Sequence, residues 1–400
     1  MRMKSARKAL LIAVAFAMLL SLPGCMGNTH VEDTLGGLTG CVNNCSPNPE
    51  FLYATSPDHI SGFTINLSTG ALGTPVQIAG PNQSIGLAST VTLGHVYVSD
   101  FLNDTIEGFS VNSTTGGLTS ITGSPFSLGG NPPGAGGLSA IVPGGNYLYA
   151  TDLNANAATG FAFDSASGTL TPVPGSPFPA GASPMQAVQA GLQGKFLYVS
   201  NYNDSAGGIS AFAIDFNTGS LTPIQGSPFP TGAAGSFPGP SALVATSNFL
   251  YVALAGTANA NNKIVAFAID GATGALTAIP GSPFTTGTDP LYMTLLPVTN
   301  KFLFTANIQD GTISVFTVDG VSGSLTPVSG SPVAAGSSVA GLAISQISTA
   351  SGKYFLYAAD SQANAINGYT VDGNNGTLAP IAGSPFPAGN SPALLTVVVP

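Results

Sequence analysis

The sequence predicts an all-β protein: a seven-bladed β-propeller of four-stranded antiparallel blades, closed by the C-terminal strand at 392–399 joining the first blade. Three observations predict it. The phrase Asp/Asn-x-x-x-Gly-x-Leu occurs seven times, opening at Asn66, Asn112, Asp164, Asp215, Asp270, Asp319 and Asp372. The copies recur about every fifty residues, a period typical of propellers and solenoids. Charged residues make up only 6% of the chain, while glycine (52) and proline (31) are abundant. That composition suits short strands joined by many turns better than helices.

Each part of the repeat has a physical role, seen in Asp215–Phe229. The Asp or Asn side chain accepts hydrogen bonds from backbone N–H groups just ahead and starts a turn. Gly219 supplies the positive φ that a short hairpin needs. Leu221 begins the next strand on its buried face. Six copies continue to Gly-Ser-Pro, five of them followed by Phe126, Phe178, Phe229, Phe284 or Phe386. Proline cannot donate to a ladder and so ends the strand. The first copy departs, with Gly80-Pro81.

Before the phrase come an aromatic strand such as Phe196–Val199, an Asn/Asp/Ser loop and a third strand such as Ile209–Ile214. After it come a fourth strand such as Leu221–Ile224 and a small-residue strand such as Ser241–Ala245. Strands apolar on both faces suit blades stacked face to face, and small residues suit an innermost strand crowded around an axis. The chain enters its first blade at the second strand, Phe51. It ends on Pro392–Val399, which has the innermost-strand pattern, so this segment is expected to complete blade 1 and leave no free edge.

Residues 1–24 read as a lipoprotein signal peptide. Met1–Lys8 is basic, and the apolar run Ala9–Leu20 is too short for an ordinary membrane span. Leu22-Pro23-Gly24-Cys25 has the form of a lipobox, so Cys25 is the expected lipidation site and the chain is tethered to a membrane without crossing it. Residues 25–50 read as a flexible tether and 51–400 as the propeller. Cys41 and Cys45 either pair in a small disulfide loop or stay free outside the folded core. The expected location is the bacterial cell envelope, in the periplasm or at the cell surface.

Beyond residue 25, four lysines and no arginine stand against all seventeen acids, a formal charge of −13. Such a surface repels nucleic acid and lacks the bidentate fork favoured for phosphate. The innermost strands carry no charged residue; Gln186, Gln189 and Tyr292 are their most polar side chains besides Ser and Thr. No nucleophile elbow, P-loop or dinucleotide fingerprint occurs. Asp152-x-Asn154-x-Asn156 lacks the glycine and the terminal acid of a calcium loop. No metal and no cofactor is expected.

The phrases KFLYVSN (195–201), GISAFAID (208–215) and NTGSLTPIQGSPF (217–229), with their six counterparts, resemble the lactonase-type seven-bladed propellers, a family that includes phosphogluconolactonase and the muconate-cyclising propeller. The resemblance implies a propeller fold and a lactone hydrolase, a carboxylic ester hydrolase, with Arg, His and Glu in its central site. The mature chain has no arginine, and no family catalytic position carries over. A phosphorylated sugar lactone is therefore a poor ligand.

Propeller ligands bind where the loops after the second strand meet the loops before the innermost one. Asp58, His59 and Lys263 are the candidate catalytic residues there, His59 because imidazole titrates near neutral pH. Asp100, Asp104, Asp152, Asp204, Asp289, Asp310 and Asp360 are candidates for a binding face, although turns alone call for acids at such positions. Tyr202 and Tyr292 can supply the stacking surface that absent tryptophan cannot. Lys195, Lys301 and Lys353, with His95 in the corresponding slot, read as exposed turn positions. The expected function is a non-catalytic, monomeric binding module for an envelope protein or glycan. The alternative is a hydrolase of an unphosphorylated lactone.

Overall fold

A computed structural model describes residues 49–80, 87–90, 94–128, 138–144, 146–203, 208–232, 239–256, 262–346 and 352–400, with backbone alone for 87–90 and 138–144. Cys25, Cys41, Cys45 and Asp204 lie outside the described residues. Residues 49–400 form one compact unit of seven antiparallel sheets. We number the blades 1 to 7 and letter their strands a to d outward from the axis. Blade 4 is representative: a is Pro184–Ala190, b Phe196–Asn201, c Gly208–Ile214 and d Leu221–Pro223.

The a strands touch one another in sequence around the axis, ending with that of blade 1 beside those of blades 7 and 2. Blade 1 is completed by the C-terminus, as expected. Leu395–Val398 pairs antiparallel with Phe51–Thr55, from Phe51 opposite Val398 to Ala54 opposite Leu395. The paired strand is shorter than 392–399, and Ala393 N–H to Thr55 O (2.9 Å) extends the contact by loop geometry. Glu50, assigned to the tether from sequence, is built into the propeller. It is buried, and its Oε1 accepts the Gln346 N–H at 2.8 Å.

The core consists of seven apolar clusters, each lying between successive blades. Alternate residues of one strand serve opposite clusters. Leu52 and Ala54 pack towards blade 7, whereas Phe51 and Tyr53 pack towards blade 2. This is why the strands read as apolar on both faces.

The hairpin phrase behaves as its chemistry requires. In blade 4, Asp215 Oδ1 accepts the Asn217 N–H at 2.8 Å, and Asp215 O accepts the Gly219 N–H at 2.7 Å. Gly219 has φ 74°, and a Cβ there would fall 2.4 Å from the Tyr147 ring of blade 3. The hairpin tip therefore docks on the aromatic start of the preceding blade's b strand. Beside it, the Tyr149 hydroxyl donates to Gly219 O at 2.9 Å. The same bond runs from Tyr53, Tyr97, Tyr198, Tyr251 and Tyr357 to Gly116, Gly168, Gly274, Gly323 and Gly70. Blade 6 has Phe304 at this position.

Two features go beyond the sequence reading. Gly-Ser-Pro does more than stop a strand. In all six copies the serine hydroxyl accepts an N–H from strand c, as Ser227 does from Ala211 at 2.9 Å. The two residues after it, such as Phe229–Pro230, then form a short fifth strand that pairs with the start of c. Blade 1 lacks the motif, and there Val76–Ala79 pairs with His59–Gly62 instead. His95 was expected at an exposed turn and is instead 5% exposed. It occupies the aromatic slot two residues before Tyr97 and packs against Gly168. Burial pulls its imidazole pKa below the ordinary value.

Tyr198→Phe should leave the Gly274 carbonyl without its partner and cost about 1–2 kcal/mol. Phe304→Tyr should add the missing bond to Gly376 and gain about 0.5–1.5 kcal/mol. Urea unfolding of the two variants and the parent measures both.

Candidate functional site

Antiparallel blades divide the loops between two rims. One carries the a–b and c–d turns. The other carries the b–c loops and the connections into each a strand, and it holds the candidate residues. Five a strands are irregular near this second rim: the register shifts between Leu138 and Ala140, Pro184 and Ala187, Pro240 and Ala242, Pro290 and Tyr292, and Val339 and Gly341. Bulges re-aim side chains. In blade 4 the shift spans two residues. Gln186 reaches the next blade, where its Oε1 accepts the Leu243 N–H at 3.2 Å, and it lies near the Tyr292 phenol of blade 6.

Several of the acids serve the loops. Asp100, Asp152, Asn201, Asn307 and Asp360 end their b strands at one position of the repeat and are all buried. Asp100 Oδ1 accepts the N–H groups of Leu102 and Asn103. Asp152 Oδ1 accepts those of Asn154 and Ala155. Asp360 accepts those of Ser337, Ser338 and Ala363. Asp310 accepts the Thr288 N–H. These bonds tie the b–c turns of blades 2, 3 and 7, and in blades 6 and 7 the connection into the a strand.

Asp100, Asp104 and Asp152 lie at the junction of blades 2 and 3 with Glu107, which belongs to strand c, opposite Val98, and not to a loop. Burial, reinforced by Asp100, raises the Glu107 pKa; burial, reinforced by Asp104, raises that of Asp152 against the N–H bonds that lower it. Among the described residues, no group of three or more His, Cys, Asp or Glu side chains is arranged to hold a metal ion.

His59 and Lys263 hold the same repeat position, the first residue of strand c, in blades 1 and 5. The ring does not bring these non-adjacent blades together. Asp58 Oδ1 holds His59 Nδ1 at 2.6 Å. Among the described residues, neither His59 Nε2 nor Ser56 Oγ has a hydrogen-bond partner, so the two are not bonded to each other as a nucleophile and its base would be. Blade 4 shows what His59 replaces. The Asn201 amide fills the space beneath Gly181, and in blade 1, where Ser56 is too short, His59 Nε2 fills the space beneath Gly389.

Asp289 differs from the other acids. It precedes the a strand of blade 6 at the mouth of the channel, is only half-buried, and has φ 58°. Asn262 Oδ1 accepts its N–H at 3.1 Å, and Gly256 N–H points at its carboxylate. Burial outweighs that bond and raises the carboxyl pKa above the usual value. Tyr202 of blade 4 lies close enough to feel its charge; burial first, then Asp289, raises the phenol pKa, so Tyr202 stays protonated. Gln186, Tyr202, Asp289 and Tyr292 thus form an arc from blade 4 to blade 6, with a carboxylate base and phenol and amide donors. The sequence named all four, but nothing in it grouped them.

The fold and this arc define a propeller with a polar channel mouth, and Lys263 of blade 5 lies on the same rim. The family model "Lactonase, 7-bladed beta-propeller" matches residues 138–342, and the chain belongs to that family. No curated protein matches. A Bacteroides uniformis protein named as a candidate 6-phosphogluconolactonase superposes with TM-score 0.67 at 19% identity, over 88% of this chain and 99% of its own. A Bacteroides fragilis counterpart gives 0.66 at 19%, over 89% and 100%. A Lactobacillus plantarum protein gives 0.58 at 21%, over 71% and 81%. At these identities the likeness shows the fold alone.

His59→Ala should lower stability by about 1–2 kcal/mol, the usual cost of losing a packed side chain, while leaving any lactone turnover within a few-fold. Thermal melts and initial rates on the same preparation check both.

Proposed function

We propose that this protein is an exported, monomeric lipoprotein, anchored through Cys25, that opens neutral lactones at the channel mouth. The observation that carries the reading is Asp289, an accessible carboxyl with a raised pKa at the end of an otherwise uncharged channel. Raised carboxyls at open sites suit general-base work. Membership of the lactonase family supports the reaction class.

In the proposed reaction Asp289 takes a proton from water as its oxygen bonds to the lactone carbonyl carbon. Tyr202 donates a hydrogen bond to the developing oxyanion. The ring C–O bond then breaks, and the leaving alkoxide recovers the proton from Asp289, giving a hydroxy acid. Gln186 and Tyr292 position the ring. The acidic surface disfavours phosphorylated substrates and repels the carboxylate product.

The test is hydrolysis of plain and phosphorylated sugar lactones, with the spontaneous rate subtracted. Plain lactones should turn over with saturation, and phosphorylated ones at least tenfold less efficiently. As Asp289 must be ionised to act, kcat/KM should rise with pH through a pKa above that of an ordinary aspartate and then level off. Asp289→Asn should remove that limb and lower kcat by about 10²–10⁴-fold. Linkage gives an independent sign. A carboxyl with a raised folded pKa contributes stability at low pH that is lost as pH rises through that pKa. Asp289→Asn should therefore raise the melting temperature at pH 7. Background rates throughout would leave binding of a neutral glycan or envelope protein, which the uncharged channel favours.

A further inference from the structure

Among the described residues, six large apolar side chains are exposed, and four lie on the rim opposite the candidate site. Leu192 (70% exposed) and Val298 (89%) lie in a–b turns, and Phe216 (46%) and Val321 (93%) in c–d hairpins, all in blades 4 and 6. Val298 has φ 66°, a conformation that β-branched residues rarely adopt. Glycine or asparagine would satisfy that turn more easily. The chain keeps a valine there, strained and in water.

The chain also enters the propeller on this rim. Glu50, fixed by Gln346, leads into the first b strand, Phe51–Thr55, at the end where the a–b turns lie. Lys195, Lys301 and Lys353 lie on the same rim. So do the hairpin acids, of which Asp164, Asp215, Asp270 and Asp319 have carboxyl pKa values held low by turn N–H and hydroxyl donors. Acids outnumber lysines there, which leaves apolar contact as the attraction. Separate apolar tips on two blades suit a fluid layer that moulds around each one. They do not make the continuous patch of roughly 800 Å² per partner that a stable protein interface needs.

We propose that this rim lies against a lipid surface, with Leu192, Phe216, Val298 and Val321 seated among headgroups and upper acyl chains. The inference rests on the anchor at Cys25. It adds an orientation: the mouth with Asp289 faces away from the membrane, into the aqueous compartment that supplies substrate.

Because the chain has no tryptophan, single probes read out cleanly. The full-length lipidated protein carrying Val298→Trp, Val321→Trp or, on the opposite rim, Leu102→Trp is bound to phosphatidylcholine vesicles with and without brominated acyl chains. Flotation reports the anchor, with Cys25→Ala as the unlipidated control, and circular dichroism confirms folding. The proposal expects blue-shifted emission and quenching by brominated lipid at positions 298 and 321, and neither at 102. It also expects no strengthening when phosphatidylglycerol is added. Flotation without quenching at 298 and 321, or with equal quenching at 102, overturns the orientation alone. Failure to float overturns the anchor and this inference together. Vesicle-independent blue shifts that grow with protein concentration would show a second copy on the rim, and would also overturn it.

Discussion

Each hairpin tip in this propeller docks where only glycine fits. The glycine's positive φ turns the chain, and its missing side chain lets the backbone rest on the aromatic ring that opens the preceding blade's b strand. In six of the seven blades the buried tyrosine two residues further along that strand donates to the glycine's carbonyl; blade 6 has Phe304 there. One short phrase therefore ends one strand, starts another and fastens two blades. Repeated around the ring, it joins blade 7 to blade 1 through Tyr357 and Gly70, while the C-terminal strand completes blade 1 by a separate route. A closed ring leaves only the outer strands of the blades as edges.

The rigid ring leaves chemistry to places where the repeat is broken. The strand-end acids of blades 2, 3 and 7 are committed to backbone N–H groups of the rim, while in blades 4 and 6 the equivalent Asn201 and Asn307 tie strand c to the connection into the a strand. Blade 5 has Leu254 there instead. Its b–c loop reaches Asp289 through Gly256 and Asn262 rather than through a strand-end carboxylate. The channel is uncharged because seven inner strands crowded around an axis favour small and apolar side chains, with Gln186, Gln189 and Tyr292 as polar exceptions. The double-residue shift in blade 4 turns Gln186 into the mouth and sets it against Tyr292. Base, phenol and amide converge through these irregularities and not through the repeat itself. A carboxyl in such a place is a stability cost when ionised, as expected where function and packing compete.

Much of the architecture was legible in the sequence. The Asp-to-Gly hairpin, the small-residue inner strand and the closing C-terminal segment follow from local rules acting on neighbouring residues. Where the reading fell short, the partner was distant in sequence. The serine of Gly-Ser-Pro looked like part of a stop signal, because its acceptor role depends on an N–H sixteen residues away. His95 looked like an exposed turn residue, because its place in the aromatic slot is set by register with Gly168 of the next blade. Glu107 did not stand out in the sequence because it lies within strand c, and its nearness to Asp100 depends on the b–c pairing. His59 stood out as a base; its position beneath Gly389 depends on Ser56 being shorter than the Asn201 of blade 4.

By itself, the sequence determined a seven-fold repeat, its turn chemistry, the strand order within each blade, the closure of the ring, and an acidic chain without arginine beyond residue 25. These follow from periodicity, backbone propensity and composition, all of which act locally or add along the chain. Only the tertiary structure decided which polar groups are consumed by turns and which face the channel mouth. Gln186 and Tyr202 come from blade 4, Asp289 and Tyr292 from blade 6, and the four span more than one hundred residues. Their proximity is set by the curvature of the ring and the bulges of its inner strands, and no local pattern encodes either.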